Sequence, residues 1–130
     1  MATAAPVSGA AGRRFHMVER LGSGAFGDVF LAEQESPGGF RRRVAIKVVR
    51  EDLAGRTLAE AVRRMRDEAR QLGLLAHRNI VQVLDLVRVG RDWVVVMEHV
   101  PGPDLDVVLA ACAASGMPFP PRAAVEVVGA

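Results

Sequence analysis

Residues 21–29 read Leu21-Gly22-Ser23-Gly24-Ala25-Phe26-Gly27-Asp28-Val29, and further along stands Val44-Ala45-Ile46-Lys47. Glycine leaves no Cβ over the main chain, so a loop carrying Gly22, Gly24 and Gly27 can lower its backbone N–H groups onto phosphates. Lys47 supplies the matching charge. It lies in a β-branched run, and by the period of two it shares a strand face with Ala45 and Val49, opposite Val44, Ile46 and Val48. A lysine among small and apolar neighbours needs an anion or a carboxylate to offset its desolvation. Glu68 is the available carboxylate. It falls three residues after Met65 and four before Leu72, which places it with an apolar helical stripe. Together these residue types describe a site for a phosphate-bearing ligand.

The elements that must position them decide which kind of ligand. In a dinucleotide-binding βαβ unit the glycines open a helix whose N-terminus receives the pyrophosphate. Here Gly27 is followed by Asp28-Val29-Phe30-Leu31-Ala32-Glu33 and then the turn cluster Ser36-Pro37-Gly38-Gly39, which reads as a second strand. Residues 15–21 before the glycines are also strand-like. The glycines therefore belong to the tip of a β-hairpin, and the dinucleotide reading fails on the strand after Gly27. Strands are expected at 15–23, 28–35, 41–50, 80–88 and 93–99. Between the third and fourth, Thr57 and Glu60 fit the N-cap and N3 positions of a capping box. From there Leu58, Ala61, Val62, Met65, Ala69, Leu72 and Leu75 or Ala76 recur at helical spacing. The predicted class is α+β, a five-stranded antiparallel sheet with one major helix.

These motifs resemble the amino-terminal lobe of a bacterial, eukaryotic-like serine/threonine protein kinase, from about Arg14 onward. The glycine run followed by Val29 and then by Val44-Ala45-Ile46-Lys47 carries most of the resemblance. Three further segments are similar to the family: Glu68 through His77-Arg78-Asn79-Ile80-Val81, Trp93 through Val100, and Pro118 through Val128. Arg78 stands where the family usually has proline, and His99 where it commonly has tyrosine.

The resemblance implies that Leu21, Gly22, Ser23, Gly24, Ala25, Phe26 and Gly27 form a flap over the triphosphate of ATP. It implies that Val29 packs on the adenine and that Ala45 leaves room for the base. Lys47 would contact the α- and β-phosphates and be oriented by Glu68. Met97 would take the gatekeeper position, with the main chain of Glu98 and Val100 on the adenine edge. Mg²⁺ would be held by residues outside these 130, since no H-R-D, D-F-G or A-P-E sequence occurs among them.

The organisation implied is a leader at 1–13, expected to be disordered, and an incomplete kinase domain at 14–130. Its parts would be an N-lobe at 14–97, a hinge at 98–103 and the first helices of a C-lobe at 104–130. Helices are expected near 105–114 and 122–128. Asp104 is read as the cap of the former rather than a ribose ligand, and His77 with Asn79 as stabilisers of a turn. The chain is expected to stop inside the last helix, as an arbitrary cut would leave it.

Composition narrows the class. Half the residues are apolar and the net charge is +2, and Arg41-Arg42-Arg43 beside a Pro-Gly-Gly turn reads as a solvated loop, not a nucleic-acid patch. The single cysteine, Cys112, fits a reducing, cytoplasmic compartment. No stretch has the make-up of a signal peptide or a membrane span. The partners expected are ATP and, in a complete kinase, a protein substrate. An alternative is a non-catalytic nucleotide-binding or interaction module built on the same lobe.

Overall fold

In the computed structural model, residues 7–8, 12–24, 27–49, 56–90 and 92–129 are described, the side chains of 7, 8, 24, 56–58 and 61 excepted. The elements are β1 (Val7–Ser8), β2 (Arg14–Gly24), β3 (Gly27–Glu35), β4 (Arg41–Val49), α1 (Arg56–Gly73), β5 (Val83–Val89), β6 (Asp92–Glu98), α2 (Leu105–Ser115) and α3 (Pro121–Val128). The chain divides into two compact units, Met1–His99 and Val100–Ala130.

The first unit is built on one antiparallel sheet of strand order β1-β2-β3-β4-β6-β5. Five of its strands are those expected from the sequence. The sixth is a correction: Val7 and Ser8, assigned to a disordered leader, pair with Phe15 and Arg14 at the sheet edge. The remaining leader positions before Gly12 lie outside the described residues. β5 begins at Val83 rather than at Ile80, because Ile80 donates its N–H to the His77 carbonyl, closing a turn that Asn79 also joins through His77 Nδ1.

Alternation along the β-branched strands sends side chains to two cores. On one face Phe15, Ala32, Val44, Ile46, Val87, Val94 and Val96 pack together. On the other, Val49, Val83 and Val95 meet Met65 and Ala69 of α1, with Val62, Leu72, Leu86, Trp93 and Met97 beside them. A register shift between Val83 and Asp85 moves β5 out of strict alternation, so Val83 and Leu86 face α1 while Val87 faces away.

Two further readings change. Helix α1 already includes Arg56 and Thr57, so Thr57 is not its cap, and the stretch before Arg56 lies outside the described residues. The helix ends at Gly73, which leaves Leu75 and Ala76 beyond it. Arg41, Arg42 and Arg43 are not loop residues but the start of β4. There Arg41 pairs with Glu33 and Glu35, and Arg42 Nε donates to Gln34 Oε1 at 2.7 Å across the strands.

In the second unit, Asp104 caps α2 as expected, accepting the Val107 N–H at 2.8 Å. Helix α3 starts with Pro121 and is described to Val128, where the Gly129 N–H bonds the Val125 carbonyl. Neither helix contains a buried residue among those described.

Candidate active site on the helix-bearing face of the sheet

Sheet register assembles the site. Val29 is paired with both Gly22 and Lys47, and Lys47 in turn with Val95. Two residues away, Ala45 is paired with Leu31 and Met97. Directly opposed residues project to the same face. Val29, Ala45, Lys47 and Met97 therefore share one face of three neighbouring strands, with the glycine hairpin at its border. Ala45 is buried, while Val29, Lys47 and Met97 are half-buried. That leaves the Lys47 ammonium in a partly desolvated setting. Among the described residues it has no ion-pair or hydrogen-bond partner.

Two glycines of the flap play different parts. At Gly27, φ is +142°, and a Cβ there would stand 2.1 Å from the Val48 carbonyl oxygen. Glycine is required because β3 and β4 run too close for a side chain. At Gly22 a Cβ would meet nothing within 4 Å. Packing within the lobe does not demand glycine there, and the open space suits a ligand resting on the main chain. Gly24 ends β2 opposite Gly27. Leu21 and Ser23 are exposed, whereas Ala25 and Phe26 lie outside the described residues.

Glu68 is the residue the structure does not bring in. It is exposed, and no ion pair joins it to Lys47. The reason is angular. At about 100° per residue, Val62, Met65, Ala69 and Leu72 span the buried arc, and Glu68 falls about 40° beyond its edge. On the opposite flank, Arg66 stands 4.6 Å from the centroid of the Trp93 ring, and Arg88 stands 5.9 Å from the same ring. The contacts made by Arg66 and Trp93 went unread in the sequence.

At the other end of the face, Glu98 is exposed, and its N–H donates to the Gln82 carbonyl while its Oε1 accepts the Gln82 N–H. Val100, 62% exposed, opens the second unit. An apolar pocket of about 120 Å³, lined by Phe15, Met17, Ile46, Val48, Val89, Asp92 and Val94, lies on the opposite sheet face and takes no part in this site. Among the described residues no cluster of His, Cys, Asp and Glu is placed to hold a metal, and no helix is long and apolar enough to cross a membrane.

Sequence reasoning also passed over Asp28. It is only 3% exposed and accepts hydrogen bonds from Ser23 Oγ at 2.7 Å and Arg20 Nη2 at 2.5 Å. A charged residue next to the apolar run Val29-Phe30-Leu31-Ala32, with arginine and serine across the hairpin, was the signal that could have found it.

A glycine-bearing hairpin, a lysine in the next strand and a helix packed on the same sheet face are the parts of an amino-terminal lobe of the protein-kinase type. The chain belongs to the protein kinase family: the family model for protein tyrosine and serine/threonine kinases matches residues 15–125. Its relatives include the serine/threonine-protein kinase pkn2 of Myxococcus xanthus, 41% identical over 96 residues that make up 74% of this chain and 11% of that protein. PrkC, a serine/threonine-protein kinase of Bacillus subtilis, is 36% identical over 98 residues, covering 75% of this chain and 14% of its own length. The crystal structure of the M. tuberculosis PknI kinase domain superposes with a TM-score of 0.69 at 27% identity, covering 98% of this chain and 47% of that domain. The chain thus spans a small part of these curated relatives and about half of the solved kinase domain.

Proposed function

We propose that this chain is the ATP-holding part of a serine/threonine protein kinase. The observation that carries the reading is the register placing Val29, Ala45, Lys47 and Met97 on one sheet face beside the Gly22–Gly27 hairpin. In this reading the flap offers backbone N–H groups to the phosphates, and Val29 with Ala45 forms the apolar seat of the adenine. Met97 stands behind it, and the main chain of Glu98 and Val100 serves the adenine edge. Lys47 neutralises the α- and β-phosphates.

Glu68 orients Lys47 once α1 turns it inward. Bound with Mg²⁺, ATP supplies the γ-phosphoryl group that a kinase passes to protein serine and threonine hydroxyls. The residues here bind and orient, which is the positioning share of that chemistry. The aspartates that hold metal and take the hydroxyl proton in this family do not occur in these 130 residues, so the chain by itself binds nucleotide without transferring phosphate. Residues 14–130 form the kinase domain portion, working in the cytoplasm, where ATP is supplied and Cys112 stays reduced.

Titration of the purified chain with a fluorescent ADP analogue tests this. Saturable binding that Lys47→Ala weakens about tenfold or more, with the melting temperature unchanged, supports the reading. Binding indifferent to Lys47→Ala, or phosphorylation of a serine substrate by the chain alone, would overturn it.

A further inference from the structure

We infer that Asp28, Arg20 and Ser23 form a clasp across the base of the glycine hairpin, and that this clasp sets the position of the phosphate-binding flap. Ser23 and Asp28 are direct cross-strand partners in β2 and β3, one step inside the Gly24–Gly27 pair. The Ser23 hydroxyl donates to Asp28 Oδ1 at 2.7 Å, and Arg20 Nη2 reaches the same oxygen at 2.5 Å. The Asp28 side chain is 4% exposed, while that of Arg20 is 51% exposed. A carboxylate so deeply removed from water depends on its donors, because losing one leaves the buried charge less well satisfied.

The local backbone shows what needs fastening. Register shifts occur between Met17 and Glu19 and again between Arg20 and Gly22, so the regular ladder is interrupted just before the flap. The ladder there supplies less restraint than an unbroken one, and the three side chains tie the two strands together across that stretch. Because the Ser23 hydroxyl is committed to Asp28, the flap meets phosphates with main-chain N–H groups alone. Asp28 and Arg20 act on the ligand only through the hairpin, so they are positioning residues.

This inference deepens the nucleotide-binding reading and rests on it for its consequence, but the clasp itself can be measured without ligand. Deuterium exchange of the peptide covering residues 20–29 would be followed in the ligand-free chain and in Arg20→Gln, Arg20→Lys, Ser23→Ala and Asp28→Asn. Affinity for the fluorescent ADP analogue would be measured in parallel. Arg20→Gln leaves no cavity at the exposed end of the clasp, so it remains informative if Asp28→Asn fails to fold.

The expected result for Arg20→Gln and Asp28→Asn is flap exchange faster by about tenfold, with β5–β6 peptides unchanged and ADP affinity reduced. Arg20→Lys should restore much of both, because the charge is kept. Flap exchange at the wild-type rate in both variants overturns the clasp, as does faster exchange spread equally over β5–β6. Faster flap exchange with undiminished ADP affinity overturns the positioning role. If the wild-type chain binds no ADP while flap exchange responds, the nucleotide reading of this chain fails and the clasp as a fastener stands.

Discussion

The Arg66 guanidinium rests 4.6 Å from the centre of the Trp93 ring, on the flank of α1 opposite Glu68. At about 100° per residue the two side chains lie about 40° beyond opposite edges of the buried arc of that helix. A rotation of α1 that turns Glu68 toward Lys47 therefore lifts Arg66 off Trp93. In the arrangement seen here, the arginine contact is made and the lysine contact is not.

It follows that Lys47 and Glu68 are energetically independent in the ligand-free chain. Lys47→Met and Glu68→Gln should change the free energy of unfolding additively, to within about 0.5 kcal/mol in a double-mutant cycle. A coupling above about 1 kcal/mol in urea unfolding would show that the pair forms in solution.

The Arg66–Trp93 contact should itself hold α1 to the sheet. Arg66→Ala should cost about 1 kcal/mol, and Trp93→Ala about 3 kcal/mol, since the latter also removes packing against Met65 and its neighbours. Chemical denaturation measures both, and equal effects would mean that the ring contributes no packing of its own.

Gly22 and Gly27 should separate a ligand-facing glycine from a structural one. Gly27→Ala places a methyl group against the Val48 carbonyl at a left-handed φ and should lower stability by about 2 kcal/mol or more. Gly22→Ala, with open space around it, should cost less than about 1 kcal/mol while weakening nucleotide binding. Melting temperatures and ADP titration of the two variants read the difference.

Acid should release one cross-strand contact. His16 Nε2 lies 3.0 Å from Glu35 Oε2, and this hydrogen bond, with the charge of Arg41 nearby, holds the Glu35 carboxyl below its usual pKa. A depressed carboxylate contributes stability above its unfolded pKa and loses it as pH falls through the lowered folded value. Wild type should therefore exceed Glu35→Gln in stability at neutral pH, and the gap should close as pH falls through that range. A gap unchanged down to strongly acidic pH would contradict the assignment.

Local order was legible in the sequence because it is written in short-range chemistry. β-branched runs marked β4 and β6 to within a residue or so, the turn cluster after Glu35 marked β3, the Asp104 side chain announced the start of α2, and His77 with Asn79 announced a turn. The period of two separated Lys47 from Ile46 before any fold was known. The glycine spacing and the lysine after it identified the chemistry, since both depend on residue type and strand face. The tertiary structure alone decided how these pieces meet. Register, with its shifts in β2 and β5, set Val29 beside both Gly22 and Lys47 and closed Ser23 and Arg20 onto Asp28. The rotation of α1 was equally out of reach. Glu68 sits near the edge of the apolar stripe, where a few tens of degrees separate a buried partner from an exposed one, and that angle is chosen by packing against Val49, Val83 and Val95 and by Arg66 on Trp93.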